Sequence, residues 1–156
     1  KIKMDNLKKT IQYIAKCSNE LKNIHTNETA APIEFVCIFC QNEDEYNDFT
    51  KNISRIGRVA EDTSSGFTYL LDKPINTVAG PLRLVKVRKP DIQRRERGDA
   101  DFNTDYTNFG EKYQNNSRLE LVKRNTFEML RLSDPNYDVM ACFSNIPKSK
   151  NLDIEL

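Results

Sequence analysis

Asp99 and Asp101 stand two positions apart in the run Gly98-Asp99-Ala100-Asp101-Phe102-Asn103. On an extended strand that spacing puts both carboxylates on one face, with Asn103 continuing the same row. Two carboxylates held together suit a shared proton, a cation or a hydroxyl-rich ligand. A plainer alternative makes Asp99 a turn residue after Gly98 and Asp101 the ion-pair partner of a nearby lysine or arginine. Aspartate is disfavoured in strands, so two in so short a stretch call for a compensating interaction.

Just before this pair, Arg94, Arg95 and Arg97 crowd the segment Lys89-Pro90-Asp91-Ile92-Gln93-Arg94-Arg95-Glu96-Arg97-Gly98, with Arg88 and Lys89 at its start. Guanidinium forks of this kind grip phosphates and carboxylates. The competing reading is a solvated linker partly neutralised by Asp91 and Glu96. The segment lacks the interleaved aromatics of a single-strand nucleic-acid platform.

Cys37-x-x-Cys40 has a spacing used by zinc and redox sites, but it interrupts the apolar run Ile33–Cys40, which reads as a buried strand. Residues three apart on a strand face opposite ways, so the two sulfurs diverge. With no second such pair and only one histidine, His25, a Cys/His zinc site has almost nothing to be built from. His25 itself sits in a polar connector and reads as a surface residue. No nucleophile turn and no glycine-rich phosphate loop occurs among the 5 glycines. Three Asn-x-Ser/Thr triplets, at Asn27, Asn52 and Asn115, carry little weight without a secretory signal.

The elements that must hold these residues follow from periodicity. Met4, Leu7, Ile11, Ile14, Leu21 and Ile24 recur at helical spacing, so roughly Asp5 to Asn23 forms an amphipathic helix that docks on the rest of the chain or pairs with another copy. From Ile33 a repeated order appears. An apolar strand leads to the helix-like Glu43–Phe49, then to strands at Arg58–Ala60, Phe67–Leu71 and Leu82–Val87. A second strand at Ala100–Phe102 leads to the helix-like Asp105–Phe109, then to Arg118–Val122, Phe127–Leu132 and Val139–Phe143. At a shift of sixty positions Tyr46, Phe49, Arg58, Phe67 and Leu70 match Tyr106, Phe109, Arg118, Phe127 and Leu130. A single unit of this size is marginal alone and leaves a sheet face uncovered, so pairing two is the natural solution. The cleft between the halves is where a small molecule would bind.

Gly98 to Tyr106 and Leu130-Arg131-Leu132-Ser133-Asp134-Pro135-Asn136-Tyr137-Asp138-Val139, set in paired βαβββ units, resemble the vicinal-oxygen-chelate superfamily of glyoxalases, bleomycin-resistance proteins and ring-cleaving dioxygenases. The run from Leu71-Asp72-Lys73-Pro74-Ile75 through Leu84 to Pro90 further resembles its uncharacterised YecM-like branch, which also carries helices before the first module. The resemblance covers roughly Ile33 to Pro147 and implies a metal held by His or Glu on the first and last strands of each module. At those corners this chain offers Asp99 on one strand and Val36, or Glu34 in a shifted register, on its counterpart. The last strands offer Lys86 and a position near Phe143. A lysine repels a divalent cation and a phenylalanine offers it nothing.

The expected fold is therefore α+β: two βαβββ modules forming a curved mixed sheet around a central cleft, preceded by an N-terminal amphipathic helix. In one domain, residues 1–31 are the helical extension, 32–90 the first module, 91–98 the connector, 99–147 the second module and 148–156 a tail. Lys86, Arg88, Asp99, Asp101 and Asn103 are the expected lining of a cleft that binds a small polar or anionic ligand, with no metal and no cofactor. The alternatives are a metal-dependent lyase, isomerase or dioxygenase using Glu34 and Asp99, and a protein-interaction module. A formal net charge of +1 gives no general pull toward nucleic acid or anionic lipid. No stretch approaches the roughly 18 apolar residues of a membrane helix, and the start lacks the apolar block of a signal peptide. The four cysteines read as free buried thiols. Together these features point to the cytoplasm, with a small-molecule ligand or a second copy of the chain as partner.

Overall fold

In chain order the elements are α1 (Ile2–His25), β1 (Ile33–Phe39), α2 (Glu43–Ile53), β2 (Gly57–Thr63), β3 (Gly66–Thr77), β4 (Gly80–Arg88), β5 (Gly98–Phe102), α3 (Tyr106–Lys112), β6 (Leu119–Lys123), β7 (Glu128–Leu132), β8 (Val139–Ser144) and α4 (Lys148–Asn151). They come from a computed structural model that describes residues 2–156. The strands make one eight-stranded sheet in the order β2-β3-β4-β1-β5-β8-β7-β6. This order is palindromic: β1 and β5 meet antiparallel at the centre, and each is flanked by the parallel last strand of its own module. The two βαβββ modules expected from the sequence are both present.

Local chemistry starts each module helix in the same way. The Asn42 side chain accepts the Glu45 N–H at the start of α2, and Asp105 accepts the Asn108 N–H at the start of α3, which satisfies amides the helix itself cannot. Phe49 and Phe109, sixty apart, are both buried on the helix side of the sheet. There Phe109 stacks on Phe143 of β8 with ring centroids 4.2 Å apart.

The helix α1 lays Leu7, Ile11, Ile14 and Leu21, all fully buried, against this same side of the sheet. Its apolar stripe is thus covered within the chain, except that Ile24 is exposed. Among the charged residues of α1 whose side chains are described, Lys22 is the exception. It is fully buried, its ammonium bonded to Asn23 Oδ1 and the Glu28 carbonyl and lying 5.2 Å from the Phe102 ring centre. Those partners replace the water that a buried ammonium gives up.

Alternation along β1 divides the core. Val36, Ile38 and Cys40 join the helix-side cluster, whereas Phe35, Cys37 and Phe39 belong to smaller clusters on the opposite, concave face. The two sulfurs of Cys37-x-x-Cys40 do part to opposite faces, and all four cysteines are free. A register irregularity between Ile33 and Phe35 breaks the alternation at Glu34. Such a bulge re-aims a side chain. Here the Glu34 carboxylate reaches the Asn103 amide at 2.9 Å and the Ser149 backbone N–H at 2.7 Å.

The stretch read as a tail is structured. The short α4 closes one end of the concave face, and Ile154 packs against Phe35, Leu70 and Leu84. Among the described residues, no helix is long and apolar enough to cross a membrane.

Candidate functional site

The concave face holds a cavity of about 250 Å³. Its floor comes from the four central strands, and the pairing register sets which side chains meet there. Lys86 on β4 lies beside Cys37 on β1, which lies beside Asp99 on β5, which lies beside Met140 on β8. In the next row Phe35 lies beside Asp101, then Cys142, then Arg131 on β7. Gly98 lets β5 come this close to β1, because any Cβ there would collide with the Cys37 carbonyl oxygen.

Asp99 and Asp101 therefore share one wall of the cavity, as the two-residue spacing predicts. An oxygen of each and the Cys142 sulfur all lie within 4.8 Å of one another. Ser144 donates to Asp101 Oδ2 at 2.9 Å. Burial pushes the Asp99 carboxyl up to about 6, against the pull of Arg88, Arg131, the Cys142 thiol and Arg94. Asp101 rises to about 7 through burial and the neighbouring Asp99 charge, opposed by the Ser144 hydroxyl and Lys148. Near neutral pH the pair keeps part of a proton that isolated aspartates would have lost.

Cations ring the pair. Lys86, Arg88, Arg94, Arg124, Arg131 and Lys148 all line the cavity. Some are held from outside: Arg131 by Glu120 at 2.8 Å, Lys148 by Glu61 at 2.9 Å and Arg88 by Asp91 at 3.7 Å. For Lys86, Arg94 and Arg124 no carboxylate lies within 4.0 Å among the described residues. Burial lowers the Lys86 ammonium, with the positive charges of Lys148 and Arg88 adding to it and Cys37 and Glu61 opposing. Aromatic surface from Phe35, Phe39 and Phe127 completes the lining.

Of the residues expected in the cleft, Lys86, Arg88, Asp99 and Asp101 come together and Asn103 does not line it. It lies just past the end of β5, and its amide is occupied by Glu34. The arginine-rich connector is divided. Arg94 faces the cavity, whereas Arg97 forms a two-pronged bridge to Glu45 at 2.8 and 3.3 Å and also donates to the Phe39 carbonyl. Arg124, Arg131 and Lys148 escaped the sequence reading. Only the alternation of β7 carried a hint of Arg131, since Met129 and Arg131 share a face.

Two metal corners need correction. Val36 and Phe143 point into the helix-side core; one step along, Cys37 lines the cavity and Cys142 lies beside Asp101 on the same face. A one-residue slip on a strand exchanges its faces, so an offset of one moves each corner between cleft and core. Val36 pairs with Ala100 across the junction, and these pair outward with Val85 and Ala141. The metal shell implied by the superfamily does not fit these residues. One module supplies an ammonium and a thiol, and burial together with adjacent carboxylates keeps both thiols well above their ordinary range, hence protonated.

No family model matches the chain, and no curated protein does. Among solved structures, the chain is similar to one described as "Structural Genomics, Protein EC4020", with a TM-score of 0.76 at 9% identity over 97% of this chain and 92% of that one. A glyoxalase/bleomycin resistance protein/dioxygenase superfamily member from Vibrio splendidus 12B01 aligns with a TM-score of 0.46 at 9% identity, over 70% of this chain and 94% of that one. At 9% identity the first likeness shows the fold alone, so the chemistry has to be read from the side chains of this cleft.

Proposed function

We propose that the chain is a divergent vicinal-oxygen-chelate-like domain that binds a small anionic ligand in the cleft between its modules, without the metal shell of that superfamily. The observation that carries this reading is the surplus of cations: six cationic side chains against two carboxylates around one cavity, three of the six with no carboxylate in ion-pair reach. In a concave, partly desolvated site such a surplus focuses a positive field on whatever enters. Four of the six are arginines, whose planar forks match phosphate and carboxylate oxygens. The four free cysteines suit a reducing compartment, and we place the protein in the cytoplasm.

The reading is tested by thermal melts and calorimetry with phosphate, sulfate and citrate. A ligand at a hundred times its Kd adds about 2.7 kcal/mol of stability. In a chain of this size that raises Tm by roughly 5–11 °C. The effect should be saturable, weaken with added salt, and disappear in the Lys86→Glu/Arg131→Glu double variant. If no anion in the series binds more tightly to the wild type than to this variant, the cleft is not an anion site.

A further inference from the structure

Resting on the anionic-ligand reading, we propose that the cleft selects a compact phosphorylated polyhydroxy compound, its phosphate taken by the arginines and its hydroxyl groups by the Asp99–Asp101 pair. The argument starts from what the cations leave untouched. None of the six lies within ion-pair distance of either carboxylate, although Arg131 sits only two strands away from Asp101. Adjacent strands are separated by about 4.8 Å, so Arg131 and Asp101 are set about 10 Å apart at their backbones. An inorganic anion fills only the first. A neutral polyol fills only the second. A ligand with both ends engages cations and carboxylates together.

Hydroxyl groups suit the carboxylates better than an ammonium group does. Asp99 is surrounded by Arg88 of β4, Arg94 of the connector and Arg131 of β7, and Asp101 is approached by Lys148 of α4. The remaining titratable neighbours are Cys37 and Cys142 on the flanking strands, Lys86, and Glu34 at the far end of β1. An ammonium group brought into this company meets these cations, whereas a hydroxyl donates to a carboxylate and accepts from a protonated carboxyl, so it suits the pair in either state. A phosphate dianion arriving beside the pair adds negative charge, which favours the protonated form further. Binding therefore draws a proton from solvent. The cavity, about 250 Å³, lies just under the usual range for drug-sized ligands and fits a small metabolite.

Calorimetry on the full chain at pH 7.5 provides the test, with inorganic phosphate, glycerol 3-phosphate, ribose 5-phosphate, glucose 6-phosphate and glucosamine 6-phosphate as probes. At least one hydroxylated ester should bind roughly tenfold or more tighter than inorganic phosphate, the factor that one good hydrogen bond supplies. The amino sugar ester should bind more weakly than glucose 6-phosphate. Heats in two buffers of different ionisation enthalpy should report net proton uptake. In Asp99→Asn/Asp101→Asn, which keeps the shape of both side chains, the ester advantage and the proton uptake should vanish while phosphate still binds. Arg131→Gln should weaken phosphate and esters alike. If phosphate binds but no ester gains over it, or if the amino sugar is preferred, the hydroxyl assignment is wrong and the anion site stands. If phosphate and every ester fail to bind, both readings fall.

Discussion

Replacing Asp101 by asparagine should stabilise the protein above neutral pH and leave it unchanged in acid. An aspartyl carboxyl that ordinarily ionises near 3.8 is raised to about 7 in the fold by burial and by Asp99. The folded chain thus holds a proton that the unfolded chain releases above about pH 4. Stability from that proton is full below pH 4 and lost as pH rises through about 7. For an isolated group that shift corresponds to on the order of 4 kcal/mol. The two carboxyls share the effect and the cleft admits water, so about 2 kcal/mol is the working figure. For a chain of this size that is roughly 4–8 °C in Tm. Ser144 can donate to an asparagine carbonyl as it does to Asp101, so the hydrogen bond is not what changes. Thermal melts of wild type and Asp101→Asn in phosphate-free buffers at pH 4.5, 6, 7 and 8 read the difference directly. The variant's advantage should open between pH 4 and 7 and then level off. A wild type that is the more stable protein at pH 8, or a gap that does not change with pH, would show that the surrounding cations hold both carboxylates ionised.

Asn103→Ala should cost about 1–2 kcal/mol in urea denaturation, because it removes one of the two partners of the buried Glu34 carboxylate, while leaving anion affinity intact. A loss of affinity without a loss of stability would restore Asn103 to the cleft. Phe109→Ala should cost about 3–5 kcal/mol by emptying the space where that ring stacks on Phe143, measured in the same way. A cost under 1 kcal/mol would mean the helix side of the second module is loosely packed. Metal analysis of the purified protein should return less than one equivalent of any transition metal. A stoichiometric ion, lost in Asp101→Asn, would mean that Asp99, Asp101 and Cys142 act as ligands and would reinstate metal-dependent chemistry.

Much of this architecture is legible in the chain itself. The helical spacing of Leu7, Ile11, Ile14 and Leu21, the paired Phe49 and Phe109 and the twofold succession of strand and helix patterns all report burial on one side of a layer. Burial of that kind is a local property of side-chain order. The two-residue spacing of Asp99 and Asp101 likewise follows from strand geometry alone, as does the parting of Cys37 from Cys40. The sixty-residue shift relates Phe49 to Phe109, but the helix caps Asn42 and Asp105 do not follow it, so the offset between the modules is not constant along the chain. The two corner residues misplaced by one lie on a first strand, Val36 of β1, and on a last strand, Phe143 of β8.

What the tertiary structure decided is the company those residues keep. Strand register at the β1–β5 junction places Lys86 two strands from Asp99, and no pattern along one strand encodes its offset from a neighbour. A bulge sends Glu34 to Asn103 and Ser149, taking Asn103 out of the cleft. The chain's last residues fold back to bring Lys148 to a wall that begins more than a hundred positions earlier. Composition records only a net charge of +1, because positive and negative charges cancel when summed over the chain. Only folding sorts six cations and two carboxylates into a single cavity, and the field there depends on that sorting.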